Sequence, residues 1–254
     1  MIDLIVFSVV NNKYALKIDN IERIIQVPEV TKIPTSHEFI DGIISYEDKI
    51  IKILNFRRLI GIPDYEVELI ELFAKLKEDH VSWIDSLKES LYEGIEFKYT
   101  TNSHICELGK LIDSFTSYDD KISEGLTVLT ESHKNLHIRG AEALEIYKKN
   151  KEEAIGIFEN EIKEVYSTTL SLLDTFLLEI ESVVNSLQKL LIYENEETTF
   201  AIKIDNIDDI AHIEESDIMT SEDDHNKNEF LNMEGILDID SILINVISEL
   251  KLPK

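Results

Sequence analysis

Cysteine occurs once in the 254 residues, at Cys106, so no internal disulfide can form and the thiol is packed, bound or reactive. Such sparing use predicts a cytoplasmic protein. Basic residues are also scarce: 25 Lys and Arg stand against 51 Asp and Glu, a formal net charge of −26. A polyanion of this kind repels nucleic acid and anionic lipid, which leaves a protein or a small ligand as the expected partner. There is no apolar run of about 18 residues, so no membrane-spanning segment is expected. The opening MIDLIVFSVV lacks the basic stretch and small-residue cleavage site of a secretory signal. A Gly-rich phosphate loop, catalytic-triad spacing and an HExxH motif are missing, and no Glu stands three residues before His80, His104, His133 or His137. Those absences argue against an enzyme and against a di-iron bundle.

Proline is missing too, but only in the middle. Its four copies are Pro28, Pro34, Pro63 and Pro253, so none falls between 66 and 188. Before that stretch, DLIVFSVV and KYALKI read as strands around an Asn11-Asn12 turn. EFIDGIIS and KIIKIL read as two more, and NFRRLIGIP as one helical turn ended by Gly61 and Pro63. After it, LLIYE, TTFAIKI and GILDIDSILINVI resume the β pattern. The acidic segment 214–229, with His225, reads as an exposed loop. YALKIDNIERI at 14–24 repeats as FAIKIDNIDDI at 200–210, a fixed offset of 186 that predicts two similar β units.

The proline-free stretch has helical periodicity. Its stripes are Ile70, Phe73, His80, Trp83, Leu87, Leu91; then Ile105, Leu108, Gly109, Ile112, Phe115; then Leu126, Leu129, His133, His137, Gly140, Leu144, Tyr147. The last runs from Ile155 through Phe158, Ile162, Val165, Leu172, Phe176, Ile180 and Val183 to Leu187. Four such helices make an antiparallel bundle, and an even number returns the chain to its starting end, as an insertion requires.

Three histidines lie on those apolar stripes, where an imidazole without a partner is costly. His133 and His137, four apart, point the same way. With His80 and Cys106 from two other helices they form a set of three imidazoles and one thiolate, which suits tetrahedral zinc. Four protein ligands leave no open position for a catalytic water, so sensing or structure is favoured over catalysis. His104 ranks second as a ligand, because two residues along a helix from Cys106 it diverges by roughly 200°. Gly109 is expected to let a neighbouring helix come close. His37 and His212 read as surface or packing residues.

His80-x-x-Trp83, Cys106-Glu107-Leu108-Gly109-Lys110 and His133-x-x-x-His137, in that order, resemble the chemoreceptor zinc-binding (CZB) domain. The resemblance covers about 66–188 and implies that His80, Cys106, His133 and His137 bind Zn2+, with sensing of zinc or of hypochlorous acid. It also implies that two copies pair through the bundle as a homodimer. The flanks, with Val27-Pro28 to Ile33-Pro34, Phe39-Ile40-x-Gly42-Ile43 and Arg57-Arg58-Leu59-Ile60-Gly61-Ile62, resemble the CheW-like adaptor domain of bacterial chemotaxis. IKIDNI at 202–207 is similar to that family's second-barrel strand. The chain departs from it at Glu47-Asp48, Lys52 and Asn55, near the surface that the family uses for receptor and kinase.

The expected fold is therefore α+β: a split pair of small five-stranded β-barrels over 1–65 and 189–254, with an antiparallel four-helix bundle inserted at 66–188. The expected function is a non-enzymatic cytoplasmic chemotaxis adaptor that senses zinc or oxidant. Its implied partners are chemoreceptor cytoplasmic tips and a CheA-like histidine kinase. A zinc-stabilised interaction protein without switching is the alternative.

Overall fold

A computed structural model describes residues 1–34, 37–117, 119–195, 198–220 and 228–253. The chain divides into a sheet unit, Met1–Tyr65 with Asn185–Lys254, and a helical unit, Glu66–Val184. No helix among the described residues is long and apolar enough to cross a membrane.

The first part of the sheet unit contains β1 (Ile2–Val9), β2 (Asn12–Lys17), β3 (Ile21–Gln26), β4 (Ile40–Tyr46), β5 (Lys49–Asn55) and the single turn α1 (Phe56–Leu59). The second part contains β6 (Lys189–Glu194), β7 (Thr199–Ile204), β8 (Asn206–Ile213), β9 (Leu231–Ile239) and β10 (Ile242–Leu250). They form two five-stranded sheets, ordered β8-β1-β2-β10-β9 and β3-β6-β7-β5-β4. The central pairs, β2 with β10 and β5 with β7, are parallel; the other ladders are antiparallel.

β1 is apolar on both faces because it serves two cores. Leu4 and Val6 join Ala15, Leu237, Ile244 and Val246 inside the first sheet. Ile5 and Phe7 join Leu54, Phe56, Leu191, Phe200, Ile202 and Leu250 between the sheets. Val27, Ile44, Ile53, Leu190, Ile192 and Ala201 fill the second sheet.

The repeat seen in sequence is a repeat in space with an exchange. β2 lies in the first sheet and hands on to β3 in the second; β7 lies in the second and hands on to β8 in the first. The ion pairs follow suit, Lys17 to Glu234 at 3.3 Å and Lys203 to Asp41 at 3.1 Å. The exchanged strands β3 and β8 carry exposed charge between their apolar residues, as edge strands do, and for that reason their segments do not read as strands in sequence.

The sheets are open rather than closed barrels. Among the described residues the outer strands of each sheet share no ladder. One isolated bridge, Thr31 to Ile43 or Met219 to Ile236, stands where a closing ladder would run. In the second sheet, Pro28 and Pro34 flank that bridge and offer no N–H to extend it. Within 214–229, Glu215–Asp217 is a short 3-10 turn. His225 lies outside the described residues.

The helical unit contains α2 (Tyr65–Glu93), α3 (Glu107–Ser114), α4 (Asp120–Tyr147), α5 (Lys151–Ile157), α6 (Lys163–Leu178) and α7 (Ile180–Leu187), the first and last helices running into the sheet unit. Contacts give the directions. Tyr92 meets Glu159 and Lys77 meets Asp174, so α6 runs against α2; Arg139 and Lys121 meet Glu161 and Glu179, so it also runs against α4. The second leg is only half helical. Lys98 and Thr100 descend beside Ser86 and Trp83 without helical structure, and α3 completes the descent.

The fourth helix changes form along its length. A π turn at Phe158–Ile162 lies between α5 and α6, and a kink at Glu179 precedes α7. Past the π turn Leu173 is buried where the stripe predicts Leu172, while Phe176, Ile180 and Val183 are buried as the stripe has them. On α2, likewise, Leu69 is buried and Ile70 exposed.

The hairpins β4–β5 and β9–β10 turn on matching two-residue loops, Glu47-Asp48 (φ 45° and 63°) and Asp240-Ser241 (φ 51° and 67°). Left-handed backbone at non-glycine residues costs about 1 kcal/mol each. Ser241→Gly is expected to raise the unfolding free energy by about that amount in urea titrations, and Ser241→Val to lower it.

Candidate metal centre

Four side chains converge in the middle of the helical unit. Ligand atoms of His80, Cys106, His133 and His137 all lie within 4.8 Å of one another. Among the described residues no other group of three or more His, Cys, Asp or Glu is so arranged. The three histidines are buried, between 1% and 3% exposed.

Each is aimed by its own element. On α2, the His80 Nδ1–H donates to the Leu76 carbonyl one turn back, at 2.7 Å. That fixes the tautomer and leaves Nε2 as the acceptor turned to the centre. On α4, His133 and His137 sit one turn apart with ring centroids 4.7 Å from each other. Trp83, the only tryptophan, lies against the His137 ring at 5.0 Å, and its indole N–H is held by the Thr100 carbonyl at 2.8 Å. Gly140 makes room for it: a Cβ there would come within 2.4 Å of the indole.

Cys106 is not within a helix but caps one. Its Sγ accepts from the Gly109 N–H at 3.3 Å at the start of α3 and lies 3.1 Å from His133 Nε2. Gly109 allows a close approach by the preceding turn rather than by a neighbouring helix, since a Cβ would fall 1.7 Å from the Ser103 carbonyl oxygen. His104 therefore precedes the helix. It stays outside the cluster because it is exposed and bound to Asp113 at 2.8 Å, not because a helical turn separates it from Cys106. His212 is exposed and paired with Asp3, and His37 packs against Phe39 and Phe230.

The electrostatics suit a cation. Burial, then the neighbouring imidazoles, push the His133 pKa down to about 3. Burial and His80 push His137 down to about 4, opposed by the nearby Thr100 carbonyl. Burial lowers His80 as well, against the Leu76 carbonyl. Burial raises the Cys106 thiol, opposed by the N–H groups of Gly109 and Leu108. All three rings are thus neutral and carry lone pairs. His80 Nε2 and both His137 nitrogens are buried without a hydrogen-bond partner in the protein. Each such atom costs roughly 1–3 kcal/mol while it has no partner; one His137 nitrogen carries the ring's N–H, and the other, like His80 Nε2, offers a lone pair. Three nitrogens and a sulfur are the donor set of tetrahedral zinc, and the residues fit that ion.

Histidines with lowered folded pKa values stabilise the protein above their unfolded value of about 6.5. That stability is lost as the pH falls through the window toward about 4 and 3. With chelator present, wild type should lose about 2 kcal/mol more between pH 7 and pH 5 than His133→Leu, by urea titration. Equal losses would mean that His133 is not held neutral.

Comparison with known proteins bears on the sheet unit. The CheW-like domain family matches residues 3–77. Chemotaxis protein CheW of Thermotoga maritima is 26% identical over 83 residues, covering 32% of this chain and 55% of that protein. The chain thus spans about half the length of the curated relative it matches. The crystal structure of scaffolding protein TtCheW from Thermoanaerobacter tengcongensis aligns over 99% of this chain and 89% of its own, with a TM-score of 0.46 and 14% identity. Residues 3–77 match a CheW-like domain, and the helical unit that follows holds the cluster of three histidines and one cysteine.

Proposed function

We propose that the chain is a non-enzymatic cytoplasmic signalling adaptor whose inserted bundle is a CZB-type domain that binds zinc through His80, Cys106, His133 and His137. The observation that carries this is the convergence of three buried, neutral imidazoles and one half-buried thiol, with nitrogens of His80 and His137 that have no partner in the protein. The CheW-like match supports the adaptor half of the reading, since that family consists of scaffolds rather than enzymes. Receptor tips and a CheA-like kinase are the proposed partners, and the bundle is the proposed contact in a homodimer. Asn55, one of the departures from the family pattern, has a structural task here. Its side-chain oxygen caps α1 by accepting from the Arg58 N–H, and its amide nitrogen donates to Asp41 and Asp64.

Zinc supplies the positive charge that would hold Cys106 as a thiolate. The chain's own groups do the rest. The Leu76 carbonyl keeps His80 in the tautomer that can ligate, Trp83 holds His137 in place, and the N-terminus of α3 favours negative charge on Sγ. A thiolate is the form that oxidants attack. Hypochlorous acid would pass its oxygen to Sγ, forming an S–O bond while the chlorine leaves as chloride, and the resulting sulfenic acid is a poorer ligand.

The deep burial of the imidazoles favours a second reading, in which the ion only holds the bundle together. Purified protein should contain one zinc per chain, and Cys106→Ser should weaken binding at least tenfold in a competition titration. Unchanged affinity would remove Cys106 from the site. Stoichiometric hypochlorous acid should release zinc and leave a sulfenic acid on Cys106, trapped by a dione reagent and located by mass spectrometry. Zinc retained after that treatment would favour the purely structural reading.

A further inference from the structure

Both ends of the helical insertion are held within the sheet unit by one small group of side chains. The entry is Pro63 to Tyr65, and the exit is Asn185 to Gln188. Arg57, 2% exposed, meets Asp205 with two prongs, Nε to Oδ1 at 2.8 Å and Nη2 to Oδ2 at 2.7 Å. Its remaining nitrogen, Nη1, donates to the Pro63 carbonyl at 3.1 Å, and its guanidinium carbon lies 4.3 Å from the centre of the Tyr65 ring. The guanidinium thus grips the two residues on either side of Asp64, where α2 begins.

The carboxylate serves the exit. Asp205 Oδ1 accepts from the Gln188 side-chain amide at 2.9 Å. Beside it, the Gln26 amide nitrogen donates to the carbonyls of Asn185, Ser186 and Gln188, at 2.6, 2.9 and 3.3 Å. Two of those carbonyls belong to the last turn of α7, where helical carbonyls lack intrahelical partners. Lys203 adds a contact to Asn185 Oδ1 at 3.3 Å.

The internal repeat supplies an independent comparison. In the first copy of IKIDNI-type sequence the residue matching Asp205 is Asp19, which is exposed. Of the two related aspartates, only the one next to the insertion carries a buried ion pair.

We infer that Arg57 and Asp205 are positioning residues that anchor both ends of the insertion at one point, so that the state of the bundle is passed to the sheets there. The second half of this inference rests on the zinc reading above. α2 and α7 carry the stripes of the helical unit and run without a break into residues that this pair holds. A change in bundle packing therefore pulls on Tyr65 and Asn185, and a rigid buried pair transmits the pull to β7, β8 and α1 rather than absorbing it.

Calorimetry of the full-length chain tests this. Wild type should unfold in one transition, and one equivalent of zinc should raise that transition as a whole. In Asp205→Asn the transition should split in two. Zinc should then raise only the helical one, while its affinity stays within about threefold of wild type, as expected for a distant site. Gln26→Ala, which leaves the Arg57–Asp205 pair intact and takes one hydrogen bond from Lys189, should split the transition in the same way and decides the matter if Asp205→Asn does not fold. Two transitions in wild type, or a variant with a lower but still single transition that zinc raises throughout, would overturn the inference. If zinc moves nothing in wild type, the zinc reading fails, and the number of transitions still judges the anchor.

Discussion

Lone pairs buried without protons to meet them are the constraint around which the helical unit is organised. His80, His133 and His137 are taken out of water as neutral rings, and two of the three leave nitrogens that no protein group satisfies. A bundle made only of leucine and isoleucine would be simpler to fold. The surrounding structure accepts that cost and then arranges itself about the four donors. A backbone carbonyl sets one tautomer, an indole packs against one ring, and a short helix begins at the sulfur.

The half-helical second leg follows from the same requirement. A full helix through 95–115 would give Cys106 a face but no backbone donors, since interior N–H groups are used within the helix. With α3 starting at Glu107, free N–H groups point at Sγ. The extended residues above it bring the Thr100 carbonyl to the Trp83 indole. The loss of helical hydrogen bonds in that leg is thus matched by bonds made to the centre.

How much of this is legible in sequence depends on which atoms do the work. Histidines on apolar stripes stand out because side-chain chemistry contradicts periodicity at those positions. The repeated IDNI segment reveals two related β units for a similar reason. Backbone carbonyls leave no such signature, so the roles of Leu76 and Thr100 are visible only in space. Cysteine is an uncommon helix cap, and Cys106 reads more readily as a residue within a helix than as its start. Arg57 and Arg58 are adjacent and alike in sequence, yet one side chain is buried against Asp205 and the other is a third exposed beside Asp64. Strands β3 and β8 are hard to read because edge strands keep charge among their apolar residues.

The exchange of strands between the sheets sets an order of assembly. The first 65 residues provide two strands to one sheet and three to the other. The missing strands come after residue 185, and β7 and β10 must pair with partners that left the ribosome long before. The bundle is built from contacts within one continuous stretch, so it closes while the early strands still wait. During translation the helical unit is then a folded spacer that keeps the two halves of the sheets near each other, and its ability to close quickly governs how long unpaired strand edges are open to aggregation.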